Sequence, residues 1–128
     1  MPVRYRVDPT RRLVISSVGP PLSTFEVVRF CQDLSADKRF NPNFNQLHEV
    51  YAGALSSMHY RELSWLKGDD PFAASSMRAI VVHTEDDYGM ARMYELMHGG
   101  NLRVFRSMQE AQQFLGLEHD GNPLTAES

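Results

Sequence analysis

Between Arg78 and Leu117 the chain reads RAIVVHTEDDYGMARMYELMHGGNLRVFRSMQEAQQFLGL, and this stretch restricts the fold more than any other. Arg78–His83 has an Ala-Ile-Val-Val centre, the pattern of a central strand covered on at least one face. Asp86 and Asp87 come next, where carboxylates suit the positive end of a helix dipole. Met90, Met93, Tyr94 and Met97 then form one stripe beside Ala91, which is expected to face the core, before His98 and Gly99-Gly100 stop the helix. Leu102 and Val104 resume extended structure. Ser107 and Glu110 have capping-box spacing, and Met108, Ala111, Phe114 and Leu115 give the last helix an apolar face that Gly116 closes. Strand, helix, strand and helix with so little slack predict two βα units of a parallel sheet.

The first half supplies the rest of the sheet. Val3, Tyr5 and Val7 alternate with Arg4, Arg6 and Asp8, Asp8-Pro9-Thr10 reads as a turn, and Leu13-Val14-Ile15 is extended again. The chain therefore opens with an antiparallel hairpin, broken at Gly19-Pro20-Pro21. Ser23 and Glu26 form a capping box for a helix over Thr24 to Leu34, carrying Val27, Phe30, Cys31 and Leu34. A polar loop from Ser35 to Asn45, anchored by Phe40 and Phe44, leads to a third strand over Leu47 to Tyr51. Ser56 or Ser57 is expected to cap a second helix carrying Leu63, Trp65 and Leu66, ended by Gly68 and Pro71.

The order is β-β-α-β-α-β-α-β-α. If successive strands lie side by side, right-handed crossovers put the helices mainly on one face. The expected architecture is an α/β (βα) superhelix: a mostly parallel five-stranded sheet with an antiparallel first strand and four main helices. A doubly wound, flavodoxin-like sheet is the alternative. One domain is expected over residues 1–117, with 118–128 polar, aperiodic and frayed.

Composition narrows the function. The 128 residues are 42% hydrophobic and 23% charged, ordinary for a globular protein. With a net charge of −3 and basic residues clustered only at Arg4, Arg6, Arg11 and Arg12, no nucleic-acid role is expected. Cys31 is the sole cysteine, so an internal disulfide is impossible, and its apolar neighbours make it a core residue rather than a nucleophile. The opening MPVRYRV lacks the apolar stretch of a signal peptide, and no run approaches a membrane span. A cytoplasmic protein without membrane insertion is expected.

The strand-turn-strand YRVDPTRRLV, the pair AIVV and YGMARMYE, and the closing VFRSMQEAQQFLG together resemble the SpoIIAA-like proteins, relatives in fold of the STAS domains of anti-anti-sigma factors. The likeness spans roughly Val3 to Leu117, and stand-alone proteins with this ending look like small bacterial members of the group. It implies a non-enzymatic regulatory or protein-interaction module that docks onto a protein partner or a second copy of itself. It also implies that a phosphoswitch, if present, maps onto Ser56 or Ser57, although no Asp precedes the pair and no Gly follows it. Helix capping is the other reading of these serines.

His83, Glu85, Asp86 and Asp87 lie beyond the carboxyl end of the central strand, where open α/β sheets place ligands. They could contact a ligand or divalent cation, or form a solvated loop with carboxylates at a helix start. Neither a G-x-S-x-G elbow nor H-E-x-x-H spacing occurs, so no catalytic residue, metal site or cofactor is expected. The alternative function is carriage or sensing of a small, lipid-like apolar ligand between helices and sheet. Tyr88, Met90 and Tyr94 would line its site with His83, Asp86 and Asp87, and Trp65 and Tyr60 are further aromatic candidates.

Overall fold

The computed structural model describes residues 2–117. The expected tail, 118–128, lies outside the described residues, as does the side chain of Tyr60. The elements run β1 (Val3–Asp8), β2 (Leu13–Val18), α1 (Thr24–Ala36), β3 (Asn45–Val50), α2 (Tyr60–Asp69), β4 (Arg78–Val82), α3 (Glu85–His98), β5 (Leu102–Phe105) and α4 (Met108–Phe114). The strands form one sheet in the order β1-β2-β3-β4-β5. β1 is antiparallel to β2, and the other pairs are parallel. Sequential order excludes the flavodoxin-like alternative, which needs a reversal of strand order.

Strand parity divides the side chains between two faces. Val14, Ser16 and Val18 of β2 share a face with Gln46, His48 and Val50 of β3 and with Arg78, Ile80 and Val82 of β4. The three crossover helices, α1 to α3, cover this side, and their apolar residues join its core. Leu13, Ile15, Leu47, Ala79 and Val81 point the other way and meet Ala111, Met108 and Phe114 of α4. The last helix lands there because no strand follows it: the handedness that fixes a crossover does not bind a terminal helix. With both faces covered, every residue of β2 and β4 is buried.

Local signals set the helix ends. Ser23 and Glu26 make a reciprocal capping box on α1, and Ser107 accepts the Glu110 amide on α4. Gly99, at φ 69°, takes the left-handed turn that ends α3. The start of α2 differs from expectation. His59, not Ser56 or Ser57, is its N-cap, with Glu62 returning the bond. Residues 52–57 instead form a turn-rich loop in front of the helix. Phe40 packs edge-on against Phe44 and Phe72, which fixes the long α1–β3 loop to the residues that precede β4. Among the described residues no helix is long and apolar enough to cross a membrane.

Candidate functional site

One concave feature is a partly open cavity of about 100 Å³ between the α1–α3 layer and the sheet. Phe30 and Cys31 of α1, Leu63 and Leu66 of α2, and Met90 and Tyr94 of α3 form its helical wall. Val18, Val50 and Ile80 form the apolar part of its floor. The remainder of the floor is polar, which is unusual for a covered sheet face and calls for a full account of its hydrogen bonds.

That account is a chain running across three strands. Arg78 is the anchor: its guanidinium pairs with Asp70, both side chains being 8% exposed, and lies 4.4 Å from the Phe72 ring centroid. Tyr94 donates its hydroxyl proton to Asp70 at 2.7 Å. Arg78 Nη1 also lies 3.2 Å from His98 Nε2. A buried charge pair is tolerated only when its remaining polar atoms are satisfied, and here Tyr94, Gln46 and His98 supply the contacts. On the other side Arg78 Nε donates to Gln46 Oε1 at 3.0 Å, Gln46 Nε2 donates to Ser16 Oγ at 2.9 Å, and Ser16 Oγ lies 2.7 Å from His48 Nδ1.

The surroundings set the charge states. Burial, helped by the Arg78 charge, pushes the His48 imidazole down to about 4, so it is neutral at physiological pH. Burial and the same arginine also lower His98. Burial pushes the Cys31 thiol up to about 12, which keeps it a thiol rather than a nucleophilic thiolate. Burial and the neighbouring Asp70 carboxylate raise Tyr94, which remains a phenol donor.

The residues singled out in the sequence divide among different places. Met90 and Tyr94 line the cavity. Asp87 is 0% exposed and fully engaged: it accepts the amides of Gly53, Leu55 and Ser56 at 2.8 to 3.0 Å and the Thr84 hydroxyl at 2.8 Å. Burial favours its neutral form, but these bonds outweigh that and lower its pKa. It is a clamp between the 52–57 loop and α3, with no lone pair facing a ligand.

Asp86 is exposed. Glu85 is tied to Arg106 at 2.9 Å, and that guanidinium lies 3.7 Å from the Tyr88 ring centroid. His83 is on the α4 side of the sheet, where its Nε2 meets Glu49 Oε2 at 2.7 Å. Glu49 is 9% exposed, and its Oε1 is buried without a hydrogen-bond partner among the described residues. His83, Asp86 and Asp87 therefore do not converge with Met90 and Tyr94, because strand parity and the clamp separate them. Among the described residues no group of three His, Cys, Asp or Glu side chains could hold a metal ion.

Ser56 and Ser57 are exposed, and Ser57 Oγ donates to the Ala54 carbonyl at 2.9 Å. The Ser56 amide is held by Asp87, so a phosphate there would stand beside a carboxylate, not on an open helix terminus. Trp65 corrects another expectation: it is 64% exposed on the outside of α2 and is not among the residues lining the cavity. Met93 is 37% exposed, away from the core stripe.

Ser16, Gln46, His48, Asp70 and Arg78 were not identified from the sequence as site residues. The available signal was polar residues at alternating positions in strands expected to be covered. No family model matches the chain, and no curated protein or solved structure matches it.

Proposed function

We propose that this protein is a non-enzymatic regulatory module of the SpoIIAA/STAS-like type whose input is a small, mostly apolar molecule held between helices and sheet. The observation that carries the reading is the cavity of about 100 Å³, with apolar walls and one organised polar end. Binding sites for small molecules have this composition: a hydrophobic lining with a few placed polar groups that fix orientation. The sequential sheet with α1 to α3 on one face supports the SpoIIAA/STAS-like assignment. An engineered cavity of about 150 Å³ accepts benzene, so a five-membered ring is a reasonable probe once side chains adjust. Met58 and Met90 are the flexible wall residues suited to such adjustment.

The test is titration with cyclopentane while following the melting temperature and the methyl resonances of Val50, Leu66 and Met90. A ligand that binds only the folded state raises the melting temperature as its concentration passes the dissociation constant. The reading expects that rise together with saturable shifts at the cavity methyls. An unchanged melting temperature and unshifted methyls at aqueous saturation would overturn it.

A second reading, docking onto a protein partner or another copy of the chain, is favoured by Trp65 and Leu96. They are 64% and 68% exposed on the outer sides of α2 and α3, two helices that pack together over the cavity. A contiguous exposed apolar patch marks a contact surface, and two large apolar side chains on packed helices are the candidates for one here.

A further inference from the structure

We infer that the cavity selects ligands carrying a neutral acceptor-only oxygen, such as a ketone, aldehyde, ester or ether, and that His48 Nε2–H is the donor that recognises it. This rests on the proposed ligand-binding reading and specifies the chemistry of the same cavity.

The inference follows from proton bookkeeping along the polar chain. Arginine has only donors. The bond from Arg78 Nε to Gln46 therefore fixes the amide, with Oε1 towards Arg78 and Nε2 towards Ser16. Ser16 Oγ accepts that amide proton, and its own hydrogen still needs an acceptor because the residue is 1% exposed. His48 Nδ1, at 2.7 Å, is the acceptor within reach. A neutral imidazole that accepts at Nδ1 carries its proton at Nε2. All the donors thus point one way, from Arg78 through Gln46 and Ser16 to His48. The relay ends on an N–H whose ring lines the cavity and which meets no acceptor in the described protein.

Charge and donor count then disfavour other ligand classes. A cation would meet a donor rather than an acceptor, with Arg78 on the same floor. A carboxylate would find no free counter-charge, since Arg78 is already paired with Asp70. A hydroxyl would bring a hydrogen that must compete for acceptors already in use: Asp70 Oδ2 takes Arg78 and Tyr94, Asp70 Oδ1 the Phe72 amide, and Gln46 Oε1 takes Arg78. An oxygen that only accepts fits the remaining vacancy in the hydrogen-bond pattern.

The experiment compares cyclopentanone with its hydrocarbon isostere methylenecyclopentane and with cyclopentylammonium, on the wild-type chain and on His48→Phe. Long-range ¹H–¹⁵N spectra of the His48 ring supply a readout that needs no variant. The expected tautomer is Nε2–H, with its proton shifting on addition of cyclopentanone and not of methylenecyclopentane. The ketone-to-hydrocarbon affinity ratio should fall about tenfold in His48→Phe, the scale of one lost neutral hydrogen bond. Cyclopentylammonium should bind neither protein.

An Nδ1–H tautomer, an unchanged ratio, or ammonium binding as strong as the ketone would overturn the inference while hydrocarbon binding leaves the cavity reading intact. Failure of both cyclopentanone and methylenecyclopentane to bind would remove the cavity reading and this inference together. If His48→Phe does not fold, the tautomer and the ketone-specific proton shift in the wild-type chain decide the matter.

Discussion

Asp87 shows how one carboxylate can look like a ligand contact in a sequence and act as a fastener in the fold. Its two oxygens accept three backbone amides and one hydroxyl, so the 52–57 loop has its otherwise unsatisfied N–H groups met by a residue from α3. Hydrogen bonds to an ionised acceptor are worth more than neutral ones, and stranded buried donors are costly. Asp87→Ala should therefore destabilise the protein by about 3 kcal/mol. Asp87→Asn, which keeps one acceptor oxygen, should cost less. Urea unfolding measures both, and hydrogen exchange should quicken at Gly53, Leu55 and Ser56 ahead of the sheet amides. Equal exchange at those amides in Asp87→Ala and wild type would show that the loop has other support.

At the scale of elements, helix α3 sorts its side chains more finely than its composition suggests. Ala91 is 1% exposed and packs into the core, whereas Met93 is 37% exposed on the flank. Met93→Asp should fold with a stability within about 0.5 kcal/mol of wild type, as surface substitutions do. Ala91→Asp should unfold the domain, because it buries a charge without a partner. Circular dichroism and thermal melts separate the two. If the outer helical face mediates self-association, sedimentation velocity on Trp65→Asp should show a smaller species than wild type; identical sedimentation would leave that face without a role in self-contact.

The succession of strands and helices along the chain was legible in the sequence, because periodicity, capping pairs and glycine stops are local signals, whereas their order across the sheet was not. Ser23 with Glu26 fixed one helix start as expected. His59 was missed at the next because an imidazole cap is uncommon and two serines stood nearby. The polar floor was not legible as a site. Ser16, Gln46, His48 and Arg78 lie on three strands, and they meet only once strand order and register bring them side by side. Trp65 was misassigned although Leu63 and Leu66 had already marked the inner side of α2.

For the molecule as a whole, the half-buried His48 and His98 act on the acid side of the stability profile. His48 has its folded pKa lowered from an ordinary 6.5 to about 4. Above pH 6.5 both states are neutral at this site. As the pH falls from 6.5 towards 4 the unfolded chain takes up a proton that the folded chain refuses, so stability declines across that window. The loss from this residue alone is on the order of 3 kcal/mol, and His98 pulls in the same direction. Asp87 acts at still lower pH: its stabilising contribution is complete above the ordinary carboxyl value of 3.8 and is lost as the folded carboxylate takes a proton. Urea titrations at a series of pH values should show a shallower decline between 6.5 and 4 in His48→Phe, provided it folds. An unaltered slope would mean that His48 titrates as it does in the unfolded chain.

Strand β3 places His48 and Glu49 back to back, one on the cavity floor and the other against His83. A slip of a single position along this strand would exchange them, sending an acid into the oily chamber and an imidazole to the far side. The same slip would uncouple Gln46 from both Ser16 and Arg78. Insertions and deletions in this segment are thus opposed by chemistry on two fronts.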